Sequence, residues 1–162
     1  MERPQRKHTR LKEYDYSQDG CYFVTICVKN RENLLSEITV GRAALSPPSI
    51  TLTAIGRIAD RYIQNINKVY MGVSVDKYVI MPDQIHLLIL FDHFSLNMDN
   101  PVSSHTTLST LVRSFKKMVT RELGYSIWQT SFYDRVIRSP EEYCETCKYI
   151  EDNPRKWYEK MQ

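Results

Sequence analysis

The side chains best suited to chemistry stand in two short segments far apart in the chain. Gln84 and His86 come just before the apolar run 87–90, and at strand spacing they point to the same side of a sheet. Tyr149 and Asn153 are four residues apart, which places them one turn apart on one face of a helix. An imidazole and amide oxygens suit Mg²⁺ or Mn²⁺ better than zinc.

If the helix packs beside the strand, Gln84, His86 and Asn153 would together ligate one divalent cation. The cation would polarise a phosphodiester and orient it for in-line attack. Tyr149 would be the nucleophile and would form a covalent phosphotyrosine. Each residue also has a plainer explanation: a structural histidine, a packed tyrosine, and an asparagine ahead of the helix-stopping Pro154. The combination, and no single residue, points to catalysis.

The elements that must position these residues follow from the apolar pattern. Segments rich in β-branched and aromatic residues predict strands. The longer ones are residues 21–28, 73–81 and 84–91, and the shorter pieces are 36–40 and 50–52. Apolar residues at helical spacing predict helices over 54–67 and 108–123. Pro140 and the acidic residues after it open a third helix, which Pro154 is predicted to end.

These elements predict an α+β fold, with helices packed on a ferredoxin-like antiparallel sheet. The link at Pro82 and Asp83 is too short for a crossover, so the strands on either side form an antiparallel hairpin. The length of 162 residues suits a single domain with a real core. Within it we expect a basic N-terminal arm over 1–20 and a mobile loop over 92–107.

The net charge of +3 is unevenly spread along the chain. Residues 1–12 and 105–138 each carry a net +4, whereas residues 141–152 carry −4. Basic surfaces beside an acidic helix suit a polyanion such as nucleic acid. The cations expected to contact it are Arg10 and Lys12 in the arm, and Arg113, Lys116, Lys117 and Arg121 on one helix face. The plainer alternative is ordinary solvated surface.

An aromatic connector follows the basic helix, over residues 128–134. Trp128, Phe132 and Tyr133 are able to stack on unpaired bases. Large aromatic side chains nevertheless belong more often to a core, and we favour that interpretation for each of them.

The four cysteines are expected to be reduced thiols. Cys21 and Cys27 share a strand face and cannot easily pair, and Cys144-x-x-Cys147 lacks partners for a zinc site. A reducing cytoplasm fits best, at the nucleoid if the partner is DNA. No apolar run approaches the ~20 residues that span a membrane, and the basic N-terminus lacks the apolar segment of a signal peptide.

Blocks along nearly the whole chain resemble the REP-associated tyrosine transposases, which are single-tyrosine members of the His-hydrophobe-His endonuclease superfamily. The blocks follow the family's order and are residues 10–17 with 22–26, 79–86, 114–120, 128–138 and 149–154. The resemblance implies a ferredoxin-like fold and a homodimer. It also implies a divalent metal, and cleavage and rejoining of hairpin-containing single-stranded DNA through a covalent 5′-phosphotyrosine intermediate.

The resemblance assigns roles by position. Tyr149 matches the nucleophile, His86 the second histidine of the metal pair, and Asn153 the residue that completes the metal site. Gln84 stands where the family has its first histidine, and Arg135 where relatives often have a histidine. A glutamine carbonyl still ligates Mg²⁺, but the loss of one imidazole weakens the site.

Gln84 therefore leaves two interpretations open. In the first, the chain is a metal-dependent DNA strand transferase with a tyrosine nucleophile. In the second, it is a hairpin- or sequence-specific DNA-binding protein on the same fold whose catalysis is impaired. Recognition of an RNA hairpin is a third interpretation, because the fold does not by itself choose the nucleic acid.

Overall fold

The computed structural model describes residues 19–41, 46–92 and 106–162. In chain order, the strands and α-helices of these residues are β1 (Gly20–Cys27), β2 (Ser36–Thr39), β3 (Ser49–Leu52), α1 (Ala54–Val69), β4 (Val73–Ile80), β5 (Gln84–Phe91), α2 (Leu108–Leu123), β6 (Tyr133–Ile137) and α3 (Pro140–Lys160). The main sheet has the order β4-β5-β1-β6, and β2 pairs with β3 in a separate hairpin. Every neighbouring pair in the main sheet is antiparallel.

The connections give the sheet its ferredoxin-like topology. Because β1 and β4 both pair antiparallel with β5, they run parallel to each other and are joined through α1. By the same argument β5 and β6 are parallel and are joined through α2. Two interleaved β-α-β units around an antiparallel centre define this fold. The fold class predicted from the sequence is confirmed.

The two faces of the sheet carry different helices, because alternate residues of a strand point to opposite sides. On one face Ile85 and Leu87 share a large core with Ile63 of α1 and Phe115 of α2. On the other face Leu88 belongs to a smaller core with residues of α3. The helix with the candidate nucleophile therefore covers one face of the sheet, and the basic helix packs on the opposite face.

Helix α3 is longer than the sequence predicts. It contains Pro154 in its interior and continues to Lys160, so the prediction that Pro154 ends it is wrong. A proline inside a helix removes one backbone donor and costs ~3 kcal/mol. Trp157 lies beyond the proline and packs on the smaller core, so burial of that ring favours continuation of the helix. Asn153 consequently lies within the helix and not at its end.

Further contacts fix α3 against the sheet. Ser139 caps its N-terminus by accepting a hydrogen bond from the Glu142 amide. Lys77 of β4 forms an ion pair with Glu151, and the Tyr143 hydroxyl donates to Asp76. These contacts place one face of α3 over β4 and β5.

The connector after α2 also differs from the prediction. Residues 133–137 form the edge strand β6, which pairs with β1. Trp128 and Phe132 are buried in the large core, so the interpretation of these two as core residues is confirmed. Tyr133 is the exception among the three aromatic residues, because it is 49% exposed.

Two predicted segments lie mostly outside the described residues. These are the N-terminal arm with Arg10 and Lys12, and the loop expected over 92–107, of which Asp92, Thr106 and Thr107 are described. Among the described helices, none has the length and apolar character needed to cross a membrane.

Candidate nucleic-acid site

Strand β5 and helix α3 bring the predicted histidine and tyrosine into contact. The rings of His86 and Tyr149 meet edge to face, with centroids 5.4 Å apart. Phe23 of β1 stacks on His86 at 5.5 Å and meets Tyr149 edge to face at 5.7 Å. We call these three side chains the aromatic cluster. The sequence-based expectation that the helix packs beside this strand therefore holds for His86 and Tyr149.

His86 is buried and neutral. Its side chain is 3% exposed, and its Nδ1 lies 2.8 Å from the Thr25 hydroxyl on the neighbouring strand. Burial lowers the pKa of His86 from 6.5 to about 4, and the nearby Arg31 charge adds to this effect. The buried Nε2 has no hydrogen-bond partner among the described residues. When Nδ1–H donates to Thr25, Nε2 presents a free lone pair.

Tyr149 combines a packed ring with access to solvent. The residue is 40% exposed, and its ring packs against the rings of Phe23 and His86. The ammonium of Lys156, about two helical turns further along the same side of α3, lies 5.5 Å from the ring centroid. Arg135 approaches the Phe23 ring at 5.9 Å and donates to the Thr146 hydroxyl at 3.1 Å. The candidate nucleophile thus lies at the surface with one cation against its ring and a second cation against the neighbouring Phe23 ring.

Gln84 faces the same side of the sheet as His86, but its side-chain oxygen contacts Arg31, where the sequence predicts a metal ion. The guanidinium of Arg31 donates from Nη1 to Gln84 Oε1 at 3.0 Å and to Cys27 Sγ at 2.9 Å. Its Nε forms an ion pair with Asp83 Oδ2 at 2.7 Å. Burial raises the pKa of Asp83, although the Arg31 charge opposes this. We call Cys27, Arg31, Asp83 and Gln84 the guanidinium cluster.

The residues predicted to ligate a metal do not fit a divalent cation. Gln84, His86 and Asn153 offer only neutral donors, and the Gln84 oxygen is hydrogen-bonded to a guanidinium that would repel a second cation. The side-chain amide of Asn153 donates within α3, to the Tyr149 carbonyl at 3.5 Å. Within the described part of the chain, no group of three or more His, Cys, Asp or Glu side chains could hold a metal.

The basic face of α2 lies away from the aromatic cluster, on the opposite side of the sheet. Arg113, Lys117 and Arg121 are exposed there. Lys116 instead turns inward and donates to the backbone oxygens of Gln129 at 2.8 Å and Ser131 at 3.0 Å. Burial lowers the pKa of Lys116. Lys116 is half-buried and anchors the connector, so its ammonium is engaged and does not extend freely from the basic face that the sequence predicts.

Several residues around Tyr149 were not among the predicted site residues. Phe23 and Thr25 lie on β1 at alternate positions, and Thr25 pairs directly with His86. Their placement depends on strand register, which the alternation of side chains alone does not specify. No sequence pattern predicts that Arg31 belongs to the site, because its contact with Gln84 joins residues 53 positions apart in the chain.

Comparisons with known proteins support the fold. No family model matches the chain. A Haemophilus influenzae strain Rd protein of uncharacterised function is 29% identical over 168 aligned positions, which cover 94% of this chain and 89% of the relative. The solved structure of a REP-associated tyrosine transposase bound to a REP hairpin gives a TM-score of 0.62 at 22% identity, covering 90% of this chain and 74% of that one.

The chain has the fold of a REP-associated tyrosine transposase. This confirms the fold that the resemblance in the sequence implied. A Deinococcus radiodurans R1 protein assigned as a transposase gives a TM-score of 0.44 at 17% identity, covering 88% of this chain and 95% of that one.

Proposed function

We propose that this chain binds hairpin-containing single-stranded DNA on the face of the sheet that carries α3. One observation carries the proposal: Tyr149 is exposed at the edge of the aromatic cluster, on the fold of a transposase whose structure contains a REP hairpin. The sequence blocks that resemble this family include the segment with Tyr149. The site thus combines a surface aromatic ring with a fold used for hairpin DNA elsewhere.

The surroundings of Tyr149 suit an unpaired strand. Arg135 and Lys156 are exposed and lie beside the aromatic cluster, where they are able to contact phosphates. Tyr133 is exposed and pairs with Thr25, so it lies on the same sheet face as His86. Exposed aromatic rings stack on unpaired bases with little sequence preference. We propose Tyr133 and Tyr149 as the stacking residues.

Cleavage and rejoining of the strand through Tyr149 is the second candidate function. It is favoured by the contact between Tyr149 and His86, whose Nε2 has no partner among the described residues. In the proposed step the Tyr149 oxygen forms a bond to phosphorus while the bond from phosphorus to the 3′ oxygen breaks. The tyrosine proton passes to solvent, and the departing 3′ oxygen takes up a proton from solvent. The same step in reverse rejoins the strand.

The resemblance implies Mg²⁺ or Mn²⁺ for this chemistry and a homodimer for the assembly. Both stay predictions. The amide and imidazole donors do not fit a divalent cation while the Arg31 guanidinium is hydrogen-bonded to Gln84 Oε1. The proposed step therefore includes no metal. If the protein binds DNA without cleaving it, the impaired, DNA-binding interpretation of Gln84 applies.

Binding is tested by fluorescence anisotropy with a labelled DNA hairpin that carries single-stranded flanks. The controls are an RNA hairpin of the same sequence and the fully paired DNA duplex. We expect the DNA hairpin to bind most tightly and the affinity to fall with added salt. Equal affinity for the RNA hairpin would favour the RNA interpretation. If none of the three nucleic acids binds, the proposal is refuted.

Cleavage is tested by a search for an adduct that survives denaturation. The hairpin is incubated with the protein in EDTA, in Mg²⁺ and in Mn²⁺, and Tyr149→Phe is the matched control. An adduct that the Tyr149→Phe variant does not form would establish strand transfer through Tyr149. DNA binding without an adduct under all three conditions would leave DNA binding as the function.

A further inference from the structure

We infer that the Arg31 guanidinium supplies the positive charge of this site in place of a divalent metal. It binds a backbone phosphate of the bound nucleic acid, and its charge excludes the metal. The inference rests on the proposed function for the source of the phosphate. It starts from the contact between the Arg31 guanidinium and Gln84 Oε1, where the resemblance would place a metal ion.

Two of the three guanidinium nitrogens of Arg31 are engaged and the third is not. Nη1 and Nε contact Gln84, Cys27 and Asp83. Nη2 makes no hydrogen bond to the described residues, and 46% of the Arg31 side chain is exposed. Guanidinium groups bind phosphate oxygens with charge-assisted hydrogen bonds. The unengaged Nη2 is therefore a suitable donor to a phosphodiester.

The backbone is shaped to place Arg31 there. Asn30 and Arg31 have φ values of 55° and 56°, in the left-handed region that residues other than glycine rarely adopt. Two hydrogen bonds hold the residues just before this turn, from the Val28 amide to the Asp83 carbonyl at 2.9 Å and from the Lys29 amide to the Ile127 carbonyl at 2.7 Å. Sparsely populated backbone conformations that persist in this way are concentrated at functional sites.

The guanidinium cluster adjoins the aromatic cluster. Cys27 pairs with Gln84 on neighbouring strands, and Thr25 pairs with His86 two residues further along the same face. The Arg31 charge contributes to the lowered pKa of His86, which is consistent with this proximity. A strand lying on Tyr149 would therefore pass near Nη2 of Arg31.

Asp83 limits the strength of the proposed site. Its carboxylate is 6% exposed and neutralises part of the Arg31 charge. Removing the negative charge should leave the guanidinium attached to Gln84 but more attractive to an anion. Asp83→Asn is nearly isosteric and therefore tests the electrostatic part of the inference without enlarging or reducing the side chain.

Metal exclusion is tested with Mn²⁺ alone, on the full chain without DNA, by the electron paramagnetic resonance signal of the free ion. We expect the wild type to leave that signal unchanged. The double variant Arg31→Gln with Gln84→His removes the cation and restores an imidazole, and it should reduce the signal. Stoichiometric Mn²⁺ binding by the wild type, lost in His86→Gln, would overturn the inference, and so would a double variant that binds no Mn²⁺.

Phosphate contact is tested with unstructured oligothymidylate in EDTA. Arg31→Gln should weaken binding about tenfold and reduce the slope of log affinity against log salt by about 0.7. Arg57→Gln is the matched control, because Arg57 is exposed on α1, on the opposite sheet face. Asp83→Asn should tighten binding. Equal effects of the two arginine variants, or weaker binding by Asp83→Asn, would show Arg31 to be a purely structural residue.

The two proposals fail in different ways. If the hairpin is not preferred but oligothymidylate binding depends on Arg31, the hairpin function fails and the phosphate site stands. If hairpin DNA binds with unchanged affinity to Arg31→Gln, the phosphate site fails and the proposed function stands. Thermal unfolding of each variant shows whether it is folded, and the Asp83→Asn result decides the matter if Arg31→Gln is not.

Discussion

His86 should make the protein less stable as the pH falls from neutral to about 5. The folded protein holds its pKa at about 4, whereas the ordinary value is 6.5. Between these values the unfolded chain binds a proton that the folded chain excludes, so the free energy of unfolding falls with pH. The cost is absent above the unfolded pKa, grows as the pH falls, and is complete below the folded pKa. The full difference corresponds to about 3 kcal/mol, of which about 2 kcal/mol is lost by about pH 5.

The assay is urea unfolding in EDTA at a series of pH values, with His86→Gln as the matched variant. Glutamine does not titrate, so the wild type should lose about 2 kcal/mol more than the variant between about pH 7.5 and about pH 5. The raised pKa of Asp83 acts in the opposite direction, but it is common to both proteins and cancels in the difference. Arg31 and Tyr149, which face His86, are also unchanged. Parallel curves would refute the claim that His86 is held neutral by burial.

Three further predictions concern residues that hold the helices and the connector in place. Lys116→Met should lower the free energy of unfolding by about 2 kcal/mol, because two carbonyls lose a charged donor, whereas Lys117→Met should change it by less than about 0.5 kcal/mol; equal costs in urea unfolding would contradict the anchoring of the connector. Gly56→Ala should cost about 1–3 kcal/mol, since the added Cβ would lie 1.9 Å from the Leu35 carbonyl oxygen. Gly124→Ala should lower the free energy of unfolding by only about 1 kcal/mol, because its φ is +84° but nothing lies within 4 Å of the added Cβ. A loss in urea unfolding that is larger for Gly124→Ala than for Gly56→Ala would contradict the close packing at Gly56.

The sequence predicts the regular elements well where the apolar pattern is strong. The predicted bounds of α2 and β5 are the ones that the structure has. The prediction that Pro154 ends α3 is wrong, because burial of Trp157 offsets the local cost of a proline in the helix. The short strand β6 escaped prediction because it has only five residues, and its pairing with β1 is a tertiary contact.

The site could be predicted only in part, because its geometry depends on tertiary contacts. Strand spacing correctly places Gln84 and His86 on one face of the sheet, and helix packing brings Tyr149 to His86. The sequence gives no sign that Arg31 reaches Gln84, since that contact depends on two left-handed residues in the turn after β1. Lys116 shows the same limit, because helical spacing cannot say which cation of a basic face turns inward.

The central claim, that nucleic acid lies on the α3 face of the sheet, is tested most directly by photocrosslinking. A DNA hairpin with 5-iodouracil in its single-stranded flank is irradiated with the wild-type protein, and the crosslinked peptides are identified by mass spectrometry. We expect crosslinks to Tyr149 or Tyr133, which are lost in the corresponding alanine variants. Crosslinks confined to α2, on the opposite face with Lys117 and Arg121, would contradict it.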